Sequence, residues 1–323
     1  MIKTSQSIQL VDFLPEQSDR LQEVLEGLTA PNKKIEPKFL YDQYGSELFE
    51  EITQLEEYYP TRTELGIMEE SLDDILAYIG EESSVIEFGS GASRKIRLLL
   101  ESGLIQEYSP IDISKTFLKE SAEQLAFDYP NINITGIVAD YTIGFHLPAH
   151  LLDPSKKKTV FFPGSTIGNF EKQEAERFLS RISSTLSSND GLLIGVDLKK
   201  SPSLLHRAYN DSKGVTERFN LNMLRHLNRE LGANFSLDQF EHYAYYNANL
   251  GRIEMHLVSM LEQMVTVGDQ HIHFDNHETI HTENSYKYSL EEFKLLAENS
   301  GFTAMKTWTD QEQLFSLHYL SVK

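Results

Sequence analysis

Short apolar runs alternate with stretches of helical periodicity through the middle of the chain. The apolar runs are, in chain order, 85–88, 108–113, 132–138, 159–162 and 191–198. The stretches with apolar residues at helical spacing are 94–100, 114–127 and 172–187. Strands and helices in this order form a sheet of parallel strands joined by right-handed crossovers. The pattern therefore predicts an α/β fold with a doubly wound, Rossmann-like sheet.

The pattern changes after residue 199. Residues 201–231 have helical periodicity that is interrupted near Asp211–Gly214, and residues 240–247 and 252–267 then alternate as strands do. This change predicts an α+β unit that is inserted into the sheet domain.

The end of the chain returns to the sheet domain. Residues 289–299 predict a helix that Gly301 ends, and residues 303–309 and 315–322 predict two strands. Because only Asp310–Leu314 join these strands, we expect an antiparallel hairpin. A parallel sheet completed by such a hairpin is typical of methyltransferases that use S-adenosylmethionine.

The first eighty residues are predicted to form helices around an aromatic segment. Residues 17–28 and 63–79 have helical spacing, and a short helix is predicted from Ser46. Residues 57–62 are predicted to form a proline-bounded loop with two adjacent tyrosines. Tyrosines beside proline are more often packing residues, but their hydroxyls can also face a ligand.

The segment Val85–Ser93 runs from an apolar strand into a glycine turn. Gly89 and Gly91 permit a positive φ and a close approach of a ligand to the backbone. Ser93 can cap the helix that follows, whose first amides point back at the turn. The turn lacks the third glycine of the dinucleotide fingerprint, which favours S-adenosylmethionine as the ligand. The alternative is an ordinary strand-to-helix turn.

Three further candidates lie at the carboxyl ends of the predicted strands, where ligands of such sheets bind. Asp112 can accept hydrogen bonds from ribose hydroxyls. Asp140 can accept from an adenine amino group while Tyr141 covers the base. Either aspartate can instead cap the next helix. The loop Phe162–Asn169 combines glycines, hydroxyls and an amide, a composition that packing alone does not explain.

Charge and composition narrow the classes of function. The 323 residues carry a formal net charge of −20 and are 40% apolar. No dense basic patch offsets this charge, so nucleic acid is not an expected partner. The chain contains no cysteine, which excludes disulfides, thiolate metal sites and cysteine nucleophiles.

The sequence shows no targeting or membrane segment. Residues 1–10 lack the apolar core and the cleavage site of a signal peptide, and no apolar run reaches the roughly 18 residues of a membrane span. We expect a cytoplasmic monomer that acts on a small molecule and contacts neither nucleic acid nor membrane.

One histidine cluster raises the question of a metal. It comprises His271, His273, His277 and His281, and alternate positions on a strand can present two imidazoles to zinc. Solvated histidines are the favoured interpretation, and we expect no metal.

Seven segments spread over nearly the whole chain form a specific combination. They are Tyr41–Phe49, Tyr58–Arg62, Glu87–Gly91, Gly164–Asn169, Ala208–Tyr209, Arg252–Met255 and Glu283–Ser285. Together they resemble the histidine-specific Nα-methyltransferases of ergothioneine biosynthesis. The resemblance implies that three molecules of S-adenosylmethionine, released as S-adenosylhomocysteine, trimethylate the α-amino group of histidine to hercynine. It also implies a methyltransferase domain at 61–199 plus 286–323 and a substrate-binding domain at 1–60 plus 200–285.

The resemblance further assigns roles to individual residues. The family's cofactor contacts fall on Tyr41, Gly89, Lys95, Asp112, Asp140 and Tyr141, and no role is expected for the Tyr141 hydroxyl. Its substrate contacts fall on Tyr58, Gly164, Asn169, Tyr209, Met255, Glu283 and Ser285. Tyr58 is preferred to Tyr59, and Asn284 is expected to point away from the ligand because side chains alternate along an extended segment.

These roles are chemically reasonable. Asn169 and Tyr209 can donate hydrogen bonds to the substrate carboxylate, and Glu283 can accept one from an imidazole N–H. Ser285 and Tyr58 can satisfy the ring nitrogens. Tyr41 and Asn169 are the expected catalytic residues, which orient the neutral amine. Two alternatives are an enzyme that methylates another amino acid, such as tryptophan, and a non-catalytic protein that binds S-adenosylmethionine.

Overall fold

The computed structural model describes residues 8–14, 17–143, 147–148, 151 and 155–323. Within these residues the chain forms two compact units. The first comprises the described residues of 8–14, 60–199 and 287–323, and the second comprises those of 17–59 and 200–286. Most of the N-terminal segment considered as a signal peptide lies outside the described residues.

The helices and strands are as follows. The strands are β1 (Gln9–Asp12), β2 (Ser83–Phe88), β3 (Ile105–Asp112), β4 (Asn133–Val138), β5 (Lys158–Phe162), β6 (Gly191–Asp197), β7 (Phe240–Asn247), β8 (Arg252–Ser259), β9 (Gln263–Val267), β10 (Gln270–Phe274), β11 (Thr279–Tyr286), β12 (Phe302–Thr309) and β13 (Phe315–Val322). The α-helices are α1 (Gln17–Thr29), α2 (Gln43–Thr53), α3 (Tyr59–Glu70), α4 (Leu72–Ile79), α5 (Arg94–Leu100), α6 (Lys115–Asp128), α7 (Lys172–Thr185), α8 (Pro202–Tyr209), α9 (Val215–Leu231) and α10 (Leu290–Asn299). No helix in the described part of the chain is long and apolar enough to cross a membrane.

The first unit is built on an eight-stranded sheet in the order β1-β4-β3-β2-β5-β6-β13-β12. Strands β1 to β6 pair in parallel, whereas β13 is antiparallel to both β6 and β12. Strands β2, β5 and β6 are buried along their whole length, as expected for parallel strands covered on both faces. The predicted doubly wound sheet and its terminal hairpin are thus confirmed.

The edge of this sheet was not predicted. Residues 8–14 were expected with the substrate-binding segment 1–60, but they belong to the first unit. The reason is that β1 pairs in parallel with β4, with Gln9 opposite Thr135 and Asp12 opposite Val138. The four residues of β1 have no distinctive pattern of polar and apolar side chains, so the sequence does not show that they pair with a distant strand.

The helix predicted from Ser46 begins earlier. Helix α2 starts at Gln43 because the Asp42 carboxylate caps it, accepting a hydrogen bond of 2.8 Å from the Gly45 amide. Aspartate is a preferred N-cap residue, but the prediction followed the aromatic residues of this segment and did not use Asp42.

The prediction of a loop at residues 57–62 was wrong in part. Helix α3 starts at Tyr59, and Pro60 occupies its first turn, where a missing N–H is harmless. The single helix predicted over 63–79 is divided at Ser71 into α3 and α4.

The second unit contains a three-stranded antiparallel sheet in the order β11-β8-β7 and a separate hairpin of β9 and β10. The interruption predicted near Asp211–Gly214 is confirmed between α8 and α9. It is fixed by Asp211, whose carboxylate accepts hydrogen bonds from the amides of Val215 at 2.9 Å and Thr216 at 2.8 Å. The alternation at 252–267 belongs to two strands, β8 and β9.

Candidate functional site

The glycine turn lies between β2 and α5 in the first unit. Gly89 and Gly91 both have positive φ, at +68° and +49°. The Gly91 amide donates to Asp112 Oδ2 at 3.1 Å, and the Ser114 amide donates to Oδ1 at 3.0 Å. Burial raises the pKa of Asp112, although these amides act in the opposite direction. The carboxylate at the end of β3 is therefore held directly against the turn.

The predicted cap at Ser93 is absent. Ser93 precedes α5 in the left-handed conformation, with φ of 57°, and its side chain makes no capping hydrogen bond. Its hydroxyl instead lies 2.6 Å from the Ser121 hydroxyl. The first turn of α5 thus receives no hydrogen bond from this side chain.

Asp140 and Tyr141 follow β4. The Asp140 carboxylate accepts from the Thr142 amide at 3.0 Å. The Tyr141 ring packs edge-on against Phe88, with 5.4 Å between centroids. Its hydroxyl, to which no role was assigned, lies beside the turn, 3.1 Å from where a Cβ on Gly89 would be. Burial, together with the negative charges of Asp112 and Asp140, raises the pKa of Tyr141, so this hydroxyl is neutral.

The loop after β5 has an unusual backbone. Gly164 and Ser165 both have positive φ, at 79° and 57°. A left-handed serine costs roughly 1–2 kcal/mol, and such strain is concentrated at functional sites. Ser165 is held there because its hydroxyl oxygen accepts from the Asp197 amide at 2.9 Å. Asn169 ends this loop, and its side chain is half-buried without a hydrogen-bond partner among the residues that the structure describes.

Glu64 is a buried site residue that sequence reasoning missed. Its carboxylate lies 2.6 Å from the Lys95 ammonium and accepts from the Gly164 amide at 2.9 and 3.1 Å. It belongs to α3, which also contains Glu69 and Glu70, so a single glutamate in this helix gives no motif. The contact with Gly164 joins residues 100 positions apart, a separation that no local pattern reveals.

An aromatic cluster in the second unit brings together several predicted residues. Tyr41 packs edge-on against Phe49 at 5.7 Å, Phe49 against Tyr58 at 6.2 Å, and Tyr58 against Tyr209 at 6.3 Å, measured between ring centroids. The Tyr209 hydroxyl then donates to the Ser285 hydroxyl at 2.7 Å. Residues from three distant segments thus form one continuous group.

The register of β8 and β11 fixes the directions of the remaining residues. Glu283 lies opposite Met255, so both side chains point to the same face as Ser285 two positions later. The register shifts between His281 and Glu283, which turns His281 to the face that Asn284 occupies. His281 Nε2 and Asn284 Oδ1 are 2.9 Å apart on that face. Glu283 and Asn284 therefore point in opposite directions.

The two adjacent tyrosines have different surroundings. The Tyr59 hydroxyl accepts from the Lys200 ammonium at 2.7 Å, and this ammonium lies 4.3 Å from the Tyr59 ring centroid. Tyr58 instead contacts Tyr209 in the aromatic cluster. Tyr58 is thus the tyrosine that lies with the other predicted substrate residues.

The clustered histidines do not share neighbours, and the His277 amide donates to the Ser259 carbonyl at 2.8 Å. His273 lies 3.2 Å from Glu262, and His271 lies 3.1 Å from the Thr266 hydroxyl. His281 faces Asn284, as described above. Among the residues that the structure describes, no group of three or more histidines or acids is arranged to hold a metal ion.

Comparison with known proteins identifies relatives along almost the entire chain. Residues 20–322 match the family of histidine-specific, S-adenosylmethionine-dependent methyltransferases. A histidine N-alpha-methyltransferase of Mycolicibacterium smegmatis is 38% identical over 302 residues, which cover 92% of each chain. Ergothioneine biosynthesis protein 1 of Neurospora crassa is 32% identical over 90% of this chain and 33% of its own length. A 4-dimethylallyltryptophan N-methyltransferase of Claviceps purpurea is 26% identical over 93% of this chain and 92% of its own.

Proposed function

This chain belongs to the family of histidine-specific, S-adenosylmethionine-dependent methyltransferases, and we propose that it trimethylates the α-amino group of L-histidine to hercynine, an early step of ergothioneine biosynthesis. The structural observation that carries the choice of substrate is the buried Glu283. Its carboxylate shares one face of β11 with Ser285, and Met255 lies opposite. An acid beside a hydroxyl and an apolar side chain suits an imidazole better than an indole or a phenyl ring.

The glycine turn fits the methyl donor. Gly89 leaves the backbone open to a ligand, and the Asp112 carboxylate beside it is placed to accept from a ribose. We assign Asp140 and Tyr141 to the adenine, Tyr41 to the donor as well, and Lys95 to the donor's carboxylate. When bound, S-adenosylmethionine would supply an electrophilic methyl group to the neutral amine, and S-adenosylhomocysteine would be the leaving group.

The acceptor is assigned to the remaining residues. Tyr209 and Asn169 donate to its carboxylate, while Glu283 accepts from one imidazole N–H. Ser285 and Tyr58 complete the polar contacts of the ring, Met255 contacts its apolar edge, and Gly164 contacts the backbone end of the amino acid. A substrate without these groups would forgo the hydrogen bonds that the buried side chains make in the complex, so it is rejected strongly.

The chain has little acid–base chemistry to perform. A sulfonium is already reactive, so the protein has to position the amine, exclude water and receive the amine unprotonated. We assign Tyr41 and Asn169 to orienting the amine, whose proton is released to water. No covalent bond to the protein is required.

An amino-acid panel tests this proposal. Purified protein is incubated with S-adenosylmethionine and each amino acid in turn, and the products are weighed by mass spectrometry. We expect a product from histidine with up to three added methyl groups. A product from tryptophan alone would support the alternative substrate, and the absence of any product would support the non-catalytic alternative.

We also propose that the protein acts in the cytoplasm as a monomer, without nucleic acid or membrane. Its formal charge of −20 supports the absence of nucleic acid, because phosphate would be repelled. Size-exclusion chromatography with light scattering tests the oligomeric state. A mass twice that of the chain would contradict the monomer.

A further inference from the structure

The carboxylate of Glu64 is the most deeply buried charge near the glycine turn. Glu64 has no exposed surface, and Lys95 is 15% exposed at its side chain. A buried carboxylate is costly unless it is paired and hydrogen-bonded. Glu64 meets this requirement with one ammonium at 2.6 Å and with one backbone amide that both oxygens share.

The neighbouring strand makes room for this carboxylate. A Cβ on Gly195, in the interior of β6, would lie 2.0 Å from Glu64 Oε1. Glycine within a strand destabilises it by roughly 0.5–1 kcal/mol relative to alanine. The sheet thus contains a position where only glycine allows Glu64 to keep its place.

The two partners of Glu64 belong to different segments of the site. Lys95 lies in the first turn of α5, directly after the glycine turn that follows β2. Gly164 begins the strained loop after β5, and β2 and β5 are neighbours in the sheet. The Gly164 N–H already donates to Glu64. Gly164 can therefore hydrogen-bond to a ligand only through its carbonyl oxygen.

We propose that Glu64 is a positioning residue for methyl transfer. It holds the Lys95 ammonium toward the carboxylate of the methyl donor, the only anionic group of that molecule. It also fixes the Gly164 peptide so that its carbonyl faces the amino group of the acceptor. The role of Gly164 rests on the proposed function, whereas the role of Lys95 can be tested by donor binding alone.

Glu64→Gln removes the negative charge with the least change of shape. Oε2 contacts both the Lys95 ammonium and the Gly164 amide, so a glutamine oxygen in this position can still accept from both, and the variant loses the charge that holds the ammonium. We expect the variant to bind S-adenosylhomocysteine at least tenfold more weakly in isothermal titration calorimetry. We also expect kcat with histidine to fall at least tenfold, and the KM for histidine to change less than threefold.

Asp190→Asn is the matched control. Asp190 is a buried carboxylate that accepts from the amides of Lys158 and Ser187, both at 2.8 Å, and lies 3.5 Å from the Lys158 ammonium. It therefore resembles Glu64 in chemistry, but it directly precedes β6 and contacts the amino end of β5, away from the carboxyl ends of the strands that carry the site. We expect it to lose thermal stability as Glu64→Gln does and to keep its affinity for S-adenosylhomocysteine within twofold.

The proposal is overturned if Glu64→Gln binds S-adenosylhomocysteine within twofold of the wild type, or if Asp190→Asn weakens binding equally. An ion pair with a structural role alone would lower the melting temperature without changing this affinity. If Glu64→Gln does not fold, Glu64→Asp replaces it, since it keeps the charge and withdraws the carboxylate by one methylene. At least a threefold loss of affinity is then expected, and unchanged affinity overturns the proposal. If the protein binds S-adenosylhomocysteine as predicted but does not methylate histidine, only the proposed function fails.

Discussion

The Tyr209 hydroxyl donates a 2.7 Å hydrogen bond to the Ser285 hydroxyl, which joins the end of α8 to β11. Both side chains are buried, and Tyr209 is 7% exposed. The hydrogen bond fixes the positions of both oxygens, and when a substrate carboxylate accepts the Tyr209 proton, the Ser285 hydroxyl can donate to the Tyr209 oxygen instead. This bond therefore connects two residues that the resemblance assigned to the substrate.

Tyr209→Phe should weaken histidine binding. A hydrogen bond to a charged group contributes about 1.5–3 kcal/mol, so the KM for histidine is expected to rise roughly 10–100-fold. The matched control is Tyr243→Phe, on β7, whose side chain is 51% exposed and should be neutral. Steady-state kinetics measure both variants, and an unchanged KM in Tyr209→Phe would remove Tyr209 from the substrate site.

The raised pKa of Asp112 leads us to expect that binding of the methyl donor depends on pH. A ribose hydroxyl donates to the ionised carboxylate, and burial raises the pKa of Asp112 above its usual 3.8. The affinity for S-adenosylhomocysteine should therefore be highest where the carboxylate is ionised and fall as the pH decreases through this raised pKa. Asp112→Asn should bind roughly 10–100-fold more weakly and lose this dependence. Calorimetric titrations over a pH series test this, and a matching decline in Asp112→Asn would contradict it.

The raised pKa of Glu87 leads us to expect that the stability of the fold depends on pH. Burial raises its pKa from 4.5 to about 8, although the hydrogen bond from the Tyr108 hydroxyl acts in the opposite direction. The folded protein therefore keeps a proton that the unfolded chain releases between these values. Its contribution to stability is complete below pH 4.5 and is lost at up to about 1.4 kcal/mol per pH unit as the pH rises toward 8.

The variant Glu87→Gln, which carries no titrating proton, isolates this effect. The difference in unfolding free energy between variant and wild type should grow in favour of the variant from pH 5 to pH 8. Urea unfolding at several pH values measures it. Parallel stability curves would show that Glu87 is ionised in the folded state throughout this range.

Tyr41→Phe tests the assignment of this hydroxyl to amine orientation. The ring would keep its edge-on contacts with Phe49 and Phe219, so the fold should be unaffected. We expect turnover to fall at least tenfold in at least one of the three methylation steps, each measured in single-turnover experiments. Tyr44→Phe, a tyrosine in the same segment that is 37% exposed, is the control. Unchanged turnover at every step would contradict a catalytic role for Tyr41.

Local patterns predicted much of the fold and part of the candidate site. The glycine turn and the acids at strand ends are visible because strand, turn and helix follow one another directly in sequence. The position of β1 was not predicted, since a four-residue edge strand depends on pairing with a distant segment. Glu64 was missed for the same reason: its carboxylate acquires its partners only when α3, α5 and the loop after β5 come together.

Some details of side-chain direction depended on single backbone features. The alternation rule correctly predicted that Asn284 and Glu283 point to opposite faces. The same rule places His281 on the face of Glu283, which is wrong. The register shift between His281 and Glu283 turns the His281 side chain to the opposite face. Likewise, the capping role predicted for Ser93 failed because its backbone adopts the left-handed conformation. Sequence patterns do not contain such irregularities.

The central claim is that the Glu283 carboxylate selects histidine as the methyl acceptor. The most direct measurement is the ratio of kcat/KM for histidine to that for tryptophan, in wild type, Glu283→Gln and the oppositely directed Asn284→Ala. We predict a wild-type ratio of roughly 10⁴, a fall of at least a hundredfold in Glu283→Gln, and a change of less than threefold in Asn284→Ala. A ratio that Glu283→Gln leaves unchanged, or that Asn284→Ala lowers equally, would contradict the account.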